Sequence, residues 1–209
     1  MGVGSGHPLR GARPRDLLPV LLVAMLVAFG GPGQDVAWAE LRPADGSAWR
    51  EPWRLLLGHF VHHGRAHQLL NAGALALWFL LWRQGPGERL LELGVVALGT
   101  GVAIALVSER SYVVGLSGLL HGLFAASALA TWRDPTQRLT GGIVLTGLVI
   151  KVGWEQAFGA SPGTERLVGL PVATEAHACG LVVGLAYGAA ALAFGSPREQ
   201  GGRRSGDGP

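Results

Sequence analysis

The chain has 209 residues, 49% of them apolar and 15% charged, with a formal net charge of +3 and a mean hydropathy of +0.34. Several apolar runs approach the roughly 20 residues needed to span a bilayer, which excludes an ordinary soluble enzyme and points to a polytopic membrane protein. The basic balance does not imply nucleic-acid binding, because the arginines fall mostly in short loops and tails, as topology signals do. Cys179 is the single cysteine, so an intramolecular disulfide is excluded, and its Gly/Ala/Val setting suggests a small buried side chain.

In chain order, residues 1–16 are rich in Gly, Pro and Arg and read as a disordered cytoplasmic tail. Residues 17–31 are predicted as a first transmembrane helix, with Pro19 in its first turn, where proline is tolerated. A basic tail before an apolar run also has the form of a signal peptide, and Ala37-Trp38-Ala39 offers an A-x-A-like site. The later segments make better sense with this helix retained. Residues 34–64 form a long polar-aromatic connection carrying Trp38, Trp49, Trp53, His59, His62 and His63; tryptophan at this density suggests an interfacial segment. Further spans are predicted over 65–83, 88–107, 117–132, 139–157 and 172–194, with 159–171 as a loop and 195–209 as a second disordered tail. The expected architecture is all-α: a six-helix membrane domain over 17–194 between two cytoplasmic tails.

Six spans put both tails on one side. With cytoplasmic tails, ten Lys/Arg fall in inner segments and seven in outer ones, which favours that orientation. The second, fourth and sixth helices then start on the outer side, and so do His67, Ser117 and His177.

Those residues suggest chemistry. Ser117 lies between Gly115 and Gly118 at the start of a helix, where backbone N–H groups are free to donate and the helix dipole favours an anion. A serine hydroxyl is a weak nucleophile until a base takes its proton. His177 is the candidate base, since an intramembrane histidine is expensive and by default functional. Gly180, Gly184 and Gly188 share its helix face, and Gly118, Gly122 and Ala126 form a second small-residue stripe beside Ser117. Two such stripes let helix backbones approach closely. His67 and Asn71, at i and i+4 on the second helix, are candidate oxyanion donors, and Gly115 is counted with them. His121, one turn below Ser117, is a rival base or a support for His177. No Asp or Glu is placed clearly enough to orient His177, and Glu175 points to the other side of its helix, so the expected machinery is a Ser–His dyad. Lys151 and Glu155 read as an intramembrane or snorkelling ion pair. The patch of His59, His62, His63 and His67 lacks H-E-x-x-H and a carboxylate at ligand spacing, so no metal and no cofactor is expected.

Trp53-Arg54, His67-x-x-x-Asn71, Gly115-x-Ser117-Gly118 and Ala176-His177-x-x-Gly180 together resemble the rhomboid family of intramembrane serine proteases, in its six-helix bacterial form, over about residues 17–194. The resemblance implies Ser117 as nucleophile, His177 as base, and His67 and Asn71 as oxyanion stabilisers. It departs from well-studied rhomboids at His121, where they carry a tyrosine. That histidine, Lys151-x-x-Trp154-Glu155 and Glu175-Ala176-His177 look more like the rhombosortase subfamily. The subfamily implies a transmembrane substrate with a C-terminal Gly-Gly sorting tail, cut at the outer face of the bacterial inner membrane. The alternatives are a rhomboid protease with another substrate, a non-catalytic rhomboid-like protein that binds membrane helices, and a small transporter or metal carrier using the histidine patch.

Overall fold

The computed structural model describes residues 35–82 and 84–194. The predicted first span at 17–31 and the tails at 1–16 and 195–209 lie outside them. Two short turns, α1 (Ser47–Arg50) and α2 (Arg54–Leu57), lead through a 3-10 turn at Gly58–Phe60 into α3 (Arg65–Leu81). Then follow α4 (Pro86–Val107), α5 (Ser117–Ala130), α6 (Arg138–Phe158), α7 (Pro162–Val168) and α8 (Thr174–Phe194). The described residues are otherwise loop, apart from one antiparallel bridge, Leu41 to Val113. The all-helical expectation holds, and helices occur within a few residues of the limits predicted for the five later spans.

α4 and α8 are each long and apolar enough to cross a membrane alone. α6 qualifies together with α7, from which it is bent by 95°. Residues 159–171 are thus not simply a loop. Ser161 caps α7 by accepting the Thr164 N–H at 3.2 Å, Pro162 starts the helix, and Gly169 at φ 79° ends it. These are ordinary start and stop signals that a short, non-apolar stretch hides from a search for spans.

α5 is the central element. Its Leu119, Leu123, Ala125, Ala126 and Ala128 are fully buried. At 14 residues it is about 21 Å long, against a hydrocarbon thickness of roughly 30 Å. Placed across a bilayer, such a helix leaves at least one end inside the apolar layer. α5 packs on α8 along the two small-residue stripes. A Cβ on Gly180 would lie 1.9 Å from the Gly118 carbonyl oxygen, and one on Gly184 would lie 2.1 Å from that of Gly122. The backbones touch there because neither side carries a side chain.

Towards the far end of α5 from Ser117, buried polar groups lock three segments together. Ser127 Oγ donates to Glu92 Oε1 at 2.5 Å, Gln84 Nε2 donates to Glu92 Oε2 at 2.5 Å, and Trp78 Nε1 donates to Ser127 Oγ at 2.9 Å. Glu92, a carboxylate within a span, is thereby satisfied as a buried charge must be.

The connection before α3 is tied to itself. The buried Arg54 guanidinium donates to the Ala37 and Glu40 carbonyls at 2.7 and 2.9 Å and pairs with Glu51. Trp53 Nε1 donates to the Trp38 carbonyl at 3.2 Å. Trp38, Trp49 and Trp53 are about half exposed, the arrangement expected of interfacial anchors.

Two buried histidines in this connection give the fold an acid-sensitive element. Burial pushes His59 and His62 from 6.5 down to about 4. Both are neutral in the folded protein at pH 7. Below about pH 6.5 the unfolded chain binds protons that the folded chain does not, so stability falls from there down to about pH 4 and is unaffected above. Thermal unfolding in detergent should show a flat Tm above pH 7 and a decline from pH 6.5 to 4. His59→Gln, which keeps a donor for the Ala97 carbonyl (2.9 Å from His59 Nε2) but does not titrate, should reduce that decline. An unchanged slope would remove His59 from this account.

Candidate active site

Ser117 is the first residue of α5, and His177 sits in the first turn of α8. The glycine contact sets their separation. A Cβ on Gly118 would lie 2.9 Å from the Ala176 carbonyl oxygen, so the start of α8 lies directly against the start of α5. His177 Nε2 is 3.0 Å from Ser117 Oγ, and the ring is buried.

The other ring nitrogen meets a carboxylate that the sequence did not place beside His177. His177 Nδ1 lies 2.8 Å from Glu155 Oε2, while Lys151 Nζ donates to Glu155 Oε1 at 2.6 Å. A carboxylate oxygen accepts, so the proton sits on Nδ1 and the Nε2 lone pair faces the serine hydroxyl. The sequence showed Lys151 and Glu155 as partners of each other. It did not show that α6 carries Glu155 to α8, because that depends on how two helices are rotated about their axes. Glu175 is elsewhere, as expected: its Oε1 accepts from Arg110 Nε at 2.6 Å and Ser108 Oγ at 3.0 Å, fastening the α4–α5 connection to the start of α8.

His121 does not take the place of His177. Its Nδ1–H donates to the Ser117 carbonyl at 2.7 Å, and its ring stacks on His177 with centroids 4.2 Å apart and planes 15° from parallel. The ring that meets the hydroxyl is that of His177.

His67 and Asn71 reach the same place from α3. Gly115, at φ 106°, occupies backbone space that favours glycine. A Cβ there would lie 2.4 Å from His67 Cε1 and 3.5 Å from Asn71 Nδ2. Gly115 therefore both makes the turn into α5 and leaves room for the two side chains. His62, which the sequence placed only in a histidine patch, orients Asn71. Its Nδ1–H donates to the Phe60 carbonyl at 3.2 Å, so its Nε2 accepts from Asn71 Nδ2 at 2.8 Å. One amide hydrogen of Asn71 is thus engaged and the other is left to point elsewhere. Ser117, His177, His67, Asn71, His121 and Lys151 all line one cavity of about 420 Å³, bounded on another side by residues 170–173 after α7.

Within the histidine patch His62 and His67 meet edge to face, with ring centroids 4.9 Å apart, but the four rings share no common point. His59 Nε2 meets the Ala97 carbonyl, His62 Nε2 meets Asn71, and His63 Nε2 meets Glu40 at 2.9 Å. Among the described residues, the set with metal-ligand spacing is His121, Glu155 and His177, whose ligand atoms lie within 4.8 Å of one another. The Lys151 ammonium already lies against two of these, 2.6 Å from Glu155 and 3.4 Å from His177 Nδ1.

An apolar helical bundle in which a half-buried serine meets a buried histidine at the glycine-lined junction of two helices has the geometry of a serine-hydrolase site. The chain belongs to the rhomboid family: the rhomboid domain matches residues 49–194. It is 31% identical over 172 residues to the rhomboid protease GlpG of Yersinia enterocolitica, covering 79% of this chain and 57% of that protein. It is 29% identical over 178 residues to the proteins of the same name from Salmonella newport and Salmonella typhimurium, covering 81% of this chain and 59% of theirs. The chain thus spans less than two thirds of the length of these relatives.

Proposed function

We propose that this chain is an intramembrane serine endopeptidase. The observation that carries the reading is the 3.0 Å approach of His177 Nε2 to Ser117 Oγ at the head of α5. Ser117 Oγ attacks the scissile carbonyl carbon while His177 Nε2 accepts its proton. The oxyanion so formed is met by His67, Asn71 and free backbone N–H groups at the start of α5, beside Gly115. His177 then gives the proton to the departing amine. A water, deprotonated by the same nitrogen, releases the acyl group from Ser117.

The substrate is a transmembrane protein, and the favoured one ends in Gly-Gly, an apolar helix and a basic cluster. Three features support this: His121 in place of tyrosine, the small-residue walls beside Ser117, and the cost of opening a helix. An intact α-helix shields its carbonyls, and each glycine weakens a helix by about 1 kcal/mol relative to alanine. The arginine distribution supports cytoplasmic tails and a site towards the periplasmic face of the bacterial inner membrane. On this reading, residues 17–194 form the membrane domain, 17–31 included.

Mass spectrometry of the mature C-terminus of such a protein, in cells with and without this chain, tests the assignment. Cleavage near the glycines is expected only in its presence, and replacing both glycines with leucine should stop it. Identical C-termini in both strains would overturn the Gly-Gly substrate and leave a rhomboid protease acting on another transmembrane protein.

A further inference from the structure

We infer that Glu155, secured by Lys151, is a positioning residue that makes the serine–histidine pair a Ser117–His177–Glu155 triad. The inference rests on the reading of Ser117 and His177 given above and adds a member that reading does not need.

The carboxylate is 7% exposed, on a helix proposed to lie in the membrane. A buried charge is costly unless each of its oxygens finds a partner. Both do: Oε1 takes the Lys151 ammonium and Oε2 takes His177 Nδ1. A plain Lys–Glu pair one turn apart needs no histidine, and the Lys151 side chain is about half exposed and free to carry such a pair outward. Here the glutamate instead lies inward against the imidazole.

Two contacts then constrain one ring in different ways. The His121 stack fixes the plane of His177 but is indifferent to which nitrogen carries the proton. The bond to Glu155 is not. It holds the proton on Nδ1 and leaves Nε2 as the acceptor that Ser117 requires. When Ser117 loses its proton, His177 becomes an imidazolium, and the carboxylate at 2.8 Å stabilises it. The groups facing His177 are Glu155 and Lys151 from α6, Ser117 and His121 from α5, and His67 from α3 across the cavity. Of these, the glutamate is the one anion. Removing its charge should make the imidazolium harder to form.

The test uses the full chain in detergent and a fluorophosphonate probe that labels an activated serine, so no natural substrate is required. Wild type should be labelled and Ser117→Ala should not. Glu155→Gln should slow labelling by up to about 10⁴-fold, the loss in kcat when a triad carboxylate becomes an amide. The probe concentration for half-saturation should stay unchanged, and the acid limb of the rate profile should move to lower pH, because the anion that faces the imidazolium is gone. A merely structural role would not move that limb. If Glu155→Gln labels at the wild-type rate with the same limb, the inference falls and the dyad stands. If wild type is not labelled at all, the Ser117–His177 reading falls with it. Should Glu155→Gln fail to fold, Glu155→Asp carries the test: it keeps the charge but shortens the reach, so the acid limb should stay while the rate drops. An unaltered rate there overturns the inference.

Discussion

Ser117→Ala is expected to abolish cleavage while leaving the bundle folded, because the hydroxyl contacts little besides His177. The substitution removes one oxygen and keeps the Cβ that α5 packs around. Nucleophile and base act as a unit, so His177→Ala should be as severe as Ser117→Ala, and the double variant no worse than either. In a serine protease the loss of either member alone is about 10⁶-fold in kcat. His121→Phe should retain far more activity, since a phenyl ring keeps the stack on His177 and loses only the bond to the Ser117 carbonyl, which is 2.7 Å from Nδ1. Cleavage of a tagged transmembrane substrate, read by immunoblot with expression matched, measures all four. A dead His121→Phe beside an active His177→Ala would reverse the assignment of the base.

The helices and the pairing of Ser117 with His177 were legible in the sequence because those signals are local. Apolar runs mark spans, and Gly115-x-Ser117-Gly118 marks a serine at a helix start. His177 followed by glycines at i+3, i+7 and i+11 marks a histidine on the close-packing face of its own helix. What stayed hidden depends on how helices are rotated against one another. Glu155 and Lys151 occupy one face of α6, and the sequence cannot say whether that face meets lipid, water or α8. Only the assembled bundle places Glu155 Oε2 2.8 Å from His177. His62 was hidden for the same reason. Its place beside Asn71 follows from the path of residues 58–64 back over α3, and in the sequence it stood only among four nearby histidines that were weighed as metal ligands and set aside. α7 was missed for a different reason: its seven residues are too short and too polar to register as a span.

Gly180→Val should be the most damaging substitution that touches no reacting group. The position is in the second turn of α8, three residues beyond His177. Even the first carbon of a side chain would lie 1.9 Å from the Gly118 carbonyl oxygen and 3.2 Å from the Gly122 nitrogen. Both obstacles are backbone in the central helix, so neither can turn aside. α8 must move away from α5, and overpacking of this kind costs about 1–3 kcal/mol or more. Stability is only part of the effect. The same contact sets the 3.0 Å separation of Ser117 and His177, and a displacement of about 1 Å is enough to cost roughly 10²-fold in rate. Gly180→Val should therefore lower both the Tm in detergent and the rate, and Gly180→Ala should do the same to a smaller degree. Gly153→Ala is the matching control. Gly153 lies within α6, where a Cβ would meet nothing within 4 Å. Replacing a helical glycine there with alanine should be neutral or stabilising by up to about 1 kcal/mol. If Gly180→Ala keeps the wild-type Tm and rate, the close approach of α5 and α8 is not what holds the serine against the histidine, and some other contact must set that distance.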